Sequence, residues 1–128
     1  MKSIVLIAQN ILSGSGIELA LKKSGDFLTY QLIPSKSGNA PIECKARNAE
    51  ILLVEVGGGE HSSLESRMNM IKEVKEFCEG IKVALFCDEV AYPEVAKKVM
   101  RAKQCGQIEE FYYTSVSIEY MVDSLDAL

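Results

Sequence analysis

One carboxylate stands where open α/β sheets put their chemistry. Glu55 interrupts the apolar run Ile51–Val56 within AEILLVEVGGG, near the C-terminal end of what reads as a strand buried on both faces of a parallel sheet. The carboxyl ends of such strands line the ligand crevice, so Glu55 is placed for a role that its residue type does not name. Gly57, Gly58 and Gly59 follow and offer backbone amides to an anion, but Glu55 and Glu60 beside them would repel one. A plain loop is the simpler reading. Ser13–Gly16 (SGSG) comes after the first apolar run and opens a helix, so helix-terminal amides there could cradle a phosphate. It lacks the G-x-G-x-x-G spacing, and Ser13 serves equally well as a helix cap.

The remaining reactive side chains lack partners. His61 is the only histidine, which removes a histidine-rich metal site, and no nucleophile and orienting acid stand ready to form a triad with it. It reads as an exposed loop residue. Cys87 ends the run IKVALFC at a strand's C-terminal end, where a thiol could be a nucleophile; its neighbours Leu85 and Phe86 suit an inert buried one. Cys44, Cys78, Cys87 and Cys105 show no C-x-x-C spacing and lie in or beside apolar segments, as buried free thiols of a reducing cytoplasm would. A net charge of −4 over 128 residues argues against nucleic-acid binding, which needs a concentrated positive surface. The amino-terminal MKSIVLIAQN has neither the length nor the cleavage pattern of a signal peptide, and no apolar run is long enough to span a membrane.

Positioning these groups requires a sheet, and the chain supplies its strands in turn. Ser3–Ala8 reads as an interior strand, followed by a helix capped by Ser13 or Ser15, with Ile17, Leu19, Ala20 and Leu21 as its apolar side and Lys22, Lys23 and Gly25 as stop signals. Phe27–Ile33 alternates as a more exposed strand, and Pro34 ends it. Between Pro41 and Asn48 the pattern calls for a short helix. After the central strand, Ser62-x-x-Glu65 matches a capping box, and Leu64, Met68, Ile71, Val74 or Lys75, and Cys78 recur at helical spacing before Gly80. Ile81–Cys87 is the fourth strand. Pro93 opens a helix with Val95, Ala96, Val99 and Met100 inward, and Gly106 ends it. Ile108–Thr114 is a fifth strand, and Ser117 caps a last helix carrying Ile118, Met121, Val122, Leu125 and Leu128 on one side. Residues 1–128 thus form one α/β domain, a five-stranded parallel sheet with helices on both faces. The flavodoxin-like order 2-1-3-4-5 is favoured for five such units.

Over essentially its whole length the chain resembles the receiver domain of bacterial response regulators. AEILLVEV is similar to the receiver strand that ends in the phosphoacceptor aspartate, with Glu55 at that position. The resemblance places Ala8 and Gln9 at the family's paired acidic positions and Cys87 where it has a small hydroxyl residue. Within GQIEEFYYTSVSIE, Phe111 takes the aromatic switch position, Thr114 the lysine position and Ser115 the proline position. In such receivers a phosphoryl group passes from a phosphohistidine partner to aspartate, with magnesium held by the neighbouring carboxylates and a lysine balancing charge. Magnesium requires hard oxygen ligands, and the metal and lysine together stabilise the transferring group. Ala8 offers no ligand, Gln9 only a neutral one, and Thr114 no charge, while Glu55 reaches one methylene too far for position-dependent chemistry.

The resemblance therefore implies a degenerate receiver in a two-component signalling pathway: no enzyme, no catalytic residue, magnesium bound weakly or not at all, and action through a protein partner. Glu55 either mimics a phosphorylated aspartate or is a relic bonded to the Gly57–Gly59 amides or to Thr114. Because the chain ends on the last receiver helix, no DNA-binding or enzymatic output segment is expected. The basic Lys97, Lys98, Arg101 and Lys103 face the acidic Glu109, Glu110, Glu119, Asp123 and Asp126 of the next elements, a pattern suited to a self-complementary dimer or simply to solvated charge. A flavodoxin-like protein binding a small molecule or phosphate through the loops after the first and third strands is the alternative, and an enzyme using Cys87 a more distant one.

Overall fold

The computed structural model describes residues 1–128. The elements alternate as β1 (Lys2–Ile7), α1 (Ile11–Ser24), β2 (Phe27–Gln31), α2 (Ala40–Ala46), β3 (Ile51–Val56), α3 (Leu64–Phe77), β4 (Lys82–Cys87), α4 (Pro93–Gln104), β5 (Glu110–Tyr113) and α5 (Ile118–Asp126). The strands form one parallel sheet, as the alternating pattern calls for, in the favoured order β2-β1-β3-β4-β5. Parallel strands need long crossovers, and the helices that make them cover both faces.

The two-residue period of the strands sorts the core. Val5, Ile7, Leu52, Val54, Val83 and Leu85 pack on one face against residues of α2, α3 and α4, among them Cys44, Ile71 and Val99. Ile4, Leu6, Ile51, Leu53, Ala84 and Phe86 pack on the other against Leu21 of α1 and Met121 and Leu125 of α5. Ala8 lies on this second face, and strand alternation assigns Glu55 to it as well.

Several local readings change. Asn10, not Ser13 or Ser15, caps α1: its Oδ1 accepts from the Ser13 amide at 2.9 Å, because the strand stops early enough for an equally good cap to act first. Leu19 is 59% exposed, and the buried row of α1 runs through Gly14 and Leu21. Ser63 rather than Ser62 caps α3, accepting from the Ser66 amide at 3.2 Å; the Ser62 carbonyl is instead occupied by the Gly57 amide at 2.8 Å. A 3₁₀ turn over Pro34–Asn39 leads into α2, which begins at Ala40 with Pro41 in its first turn. β5 is shorter than Ile108–Thr114. Of the four cysteines, all free, Cys44 and Cys87 are buried, but Cys78 is half-buried and Cys105 exposed in the turn after α4. No helix is long and apolar enough to cross a membrane.

Candidate functional site

The register brings the chemically notable strand ends to one edge. Glu55 pairs with Phe86, Val56 with Cys87, and Cys87 with Tyr113, and the Thr114 amide donates to the Cys87 carbonyl at 3.1 Å. Glu55 Oε1 accepts a hydrogen bond from the Gln9 amide at 2.9 Å. This corrects the expected partners: on the α1/α5 face the side chain meets the β1–α1 turn, not the Gly57–Gly59 amides or Thr114. The Glu55 carbonyl accepts from Arg67 Nε at 3.0 Å. Burial raises the Glu55 pKa, the Gln9 amide and the Arg67 charge oppose the rise, and Asp88 adds to it.

A carboxyl raised on folding favours the protonated native state. The stability tied to it is complete below the unfolded pKa and is lost as pH rises through the folded one. Glu55→Gln keeps an acceptor for the Gln9 amide without a buried charge. It is expected to be more stable than the parent at pH 7, by a margin that vanishes as pH falls below the ordinary carboxylate range. Urea denaturation at neutral and acidic pH checks this, and a variant less stable at neutral pH would contradict it.

Around Glu55 the other positions are neutral or sealed. Ala8 is fully buried and presents a methyl group. Gln9 offers its backbone amide, while its side chain lies where a Cβ on Gly57 would stand. Thr114, exposed just beyond β5, shares with Glu55, Ser13, Phe86 and Ser117 the wall of a cavity of about 200 Å³. Asp88 Oδ1 accepts from the Val90 and Ala91 amides, both at 3.0 Å, and so fixes the turn toward α4. No three His, Cys, Asp or Glu side chains converge on a metal position. Burial, then the charges of Asp88, Glu55 and Glu89, push the Cys87 thiol up to about 11, so it is no ready nucleophile. Phe111 is half-buried, edge-on to Tyr113 at 5.5 Å between ring centres, with the Lys103 ammonium 5.7 Å from its ring.

The glycine segments also differ from their sequence reading. SGSG lies inside α1, where the Gly14 amide already donates to the Asn10 carbonyl at 3.2 Å and Gly14 packs against Gln31 and Ala8, so it is no phosphate cradle. Gly57–Gly59 is a packed turn rather than a plain loop: a Cβ on Gly58 would stand 2.5 Å from the Tyr92 ring, and one on Gly59 3.1 Å from Ser62 Oγ. His61 is exposed beside it.

Arg67 and Asp88 are the residues that sequence reasoning missed. Arg67 is the sole buried charged side chain, 4% exposed. Its spacing from Leu64 and Ile71 places it on the apolar stripe of α3, which was the available signal. On the surface, Lys97, Lys98 and Arg101 are exposed along α4 and Asp123 along α5. Glu110 is bonded to Lys103 at 2.6 Å, and Glu109 accepts from the Val83 amide at 2.8 Å and pairs with Lys75 at 3.7 Å.

No family model matches the chain, and no curated protein matches it. Solved structures do. A response regulator from Desulfuromonas acetoxidans superposes with a TM-score of 0.72 at 14% identity, covering 99% of this chain and 95% of that one. The inactive regulatory domain of the repressor of iron transport regulator (RitR) gives 0.72 at 15%, over 99% and 94%. A CheY-like protein (tadZ) from Pseudomonas aeruginosa PAO1 gives 0.70 at 11%, over 100% and 95%. At such identities the likeness is one of fold: the chain has the flavodoxin-like architecture of receiver domains.

Proposed function

We propose that the chain is a receiver-fold signalling module that acts by protein contact and does not accept a phosphoryl group at Glu55. One observation carries this reading: the Glu55 carboxylate is engaged by the Gln9 amide at 2.9 Å, beside a buried methyl at Ala8 and with Thr114 where the fold's chemistry needs an ammonium. Phosphoryl transfer to a carboxylate is governed by position and charge stabilisation, and both are deficient here. Magnesium fits poorly for the same reason. Of the three carboxylates near the edge, Glu55 gives one oxygen to Gln9, Asp88 one to the turn amides and Glu89 one to the Ser115 hydroxyl, and an octahedral ion requires more convergent hard oxygens than remain. The bond to the β1–α1 turn supports a structural role for Glu55 over mimicry of a phosphorylated aspartate. Incubation with acetyl phosphate and magnesium, followed by intact-mass measurement, should show no phosphoryl adduct; an adduct mapped to Glu55 would overturn the reading.

The contact surface that suits this role is the α4–β5–α5 side. Lys97, Lys98 and Arg101 form its basic part, and Asp123 remains available as a counter-charge, whereas Glu109 and Glu110 are already satisfied within the chain. A two-fold dimer would therefore lean on α4 against α5. Sedimentation should show association at low salt that weakens as salt rises; a monomer at low salt and high protein concentration would rule the dimer out. The free thiols suit a reducing compartment such as the cytoplasm.

A further inference from the structure

We propose that a second pocket, at the head of β1 and β3 and floored by Arg67, binds phosphate, either free or as the monoester of a small molecule. The sheet order reverses between these two strands, where open α/β sheets form their ligand crevice. A cavity of about 710 Å³ lies there, within the range of small-ligand sites. Only one of its ten lining residues is hydrophobic, so an apolar ligand would find little to bury.

Arg67 is the reason to expect an anion. It is 4% exposed, yet within the chain the only acceptor its guanidinium meets is the Glu55 carbonyl, through Nε at 3.0 Å. A buried guanidinium is costly to desolvate and the Glu55 charge offsets only part of that cost; Arg67 lines the cavity, and the two Nη groups of its fork bond nothing else in the chain. That fork matches the oxygens of a phosphate, and the hydroxyls of Ser35, Ser37 and Ser62 supply further donors on the same wall. The Tyr92 ring, seated over Gly58, forms a flat side against which an organic moiety can lie. Glu60 is the one carboxylate on the wall, and it is exposed at the rim, where solvent screens it. This pocket is separate from the small cavity that holds the Glu55 side chain, so its test can fail while the reading of Glu55 stands.

The test is a calorimetric titration with inorganic phosphate, adenosine 5′-monophosphate and uncharged adenosine. Both phosphates should bind saturably and adenosine should not; a tighter monoester identifies an organic phosphate as the better ligand, and equal affinities identify free phosphate. Arg67→Met should weaken binding roughly ten- to a hundred-fold, the loss of a charge-assisted contact. Because Arg67 also holds the β3 carbonyl, Ser35→Glu, at an exposed position, provides an independent block by charge repulsion. No saturable binding of either phosphate at millimolar concentration, adenosine binding as well as its monophosphate, or unchanged affinity in the folded Ser35→Glu protein would each overturn the site.

Discussion

Leu53→Ala is expected to lower the free energy of unfolding by about 2–5 kcal/mol, the cost of a buried leucine lost together with the cavity it leaves. Leu53 is wholly buried in the middle of β3, with β1 and β4 on either side and α1 and α5 over its face. The sheet cannot collapse onto the void without moving two neighbouring strands. The same face carries Glu55 two residues later, so the variant should also loosen the hold of the Gln9 amide. Urea denaturation monitored by far-ultraviolet circular dichroism measures the loss, and a change below about 1 kcal/mol would show that β3 is not packed as described.

The second large effect falls at Arg67. Arg67→Ala removes a nearly buried side chain and its hydrogen bond to the Glu55 carbonyl, and should cost about 2 kcal/mol, the scale of a charged hydrogen bond lost with some packing. Burial already pulls the Arg67 pKa down while Glu55 pushes it up, so the guanidinium bears a desolvation cost that keeps the net loss from being larger. Arg67→Lys keeps charge and most of the stem but loses the fork, and should fall between the parent and the alanine variant. Equal stability of all three would mean that the arginine holds nothing together.

Much of the architecture is legible in the chain because its strands are unambiguous. The apolar runs of β1, β3 and β4, broken only by Glu55 once past their first residues, suit the interior of a parallel sheet, and the helices between them leave few topologies. The edge elements were harder to read. The 3₁₀ turn over Pro34–Asn39 has neither an apolar period nor a side-chain cap, so no one-dimensional signal marks it or the place of Ser35 and Ser37 on the wall of a cavity. Helix starts lie one to five residues from the expected caps because Asn10 and Ser63 are as competent caps as the serines near them.

At the candidate site, residue types could say what Ala8, Gln9 and Thr114 lack, but not what Glu55 touches. Its bond to the Gln9 amide depends on the pleat and on the height of the β1–α1 turn, neither of which a one-dimensional pattern encodes. Arg67 escaped because a charged residue on an apolar stripe is ordinarily assumed to turn outward. The glycines after β3 looked like an open loop, whereas Gln9 and Tyr92 occupy the space that side chains there would need.

The most direct measurement is a crystal structure of the protein soaked with magnesium and beryllofluoride, a phosphoryl mimic. The account predicts that Glu55 keeps its bond to the Gln9 amide and that neither ion is found on its carboxylate. Magnesium shared between Glu55 and Asp88, with beryllofluoride on the Glu55 oxygen, would contradict it.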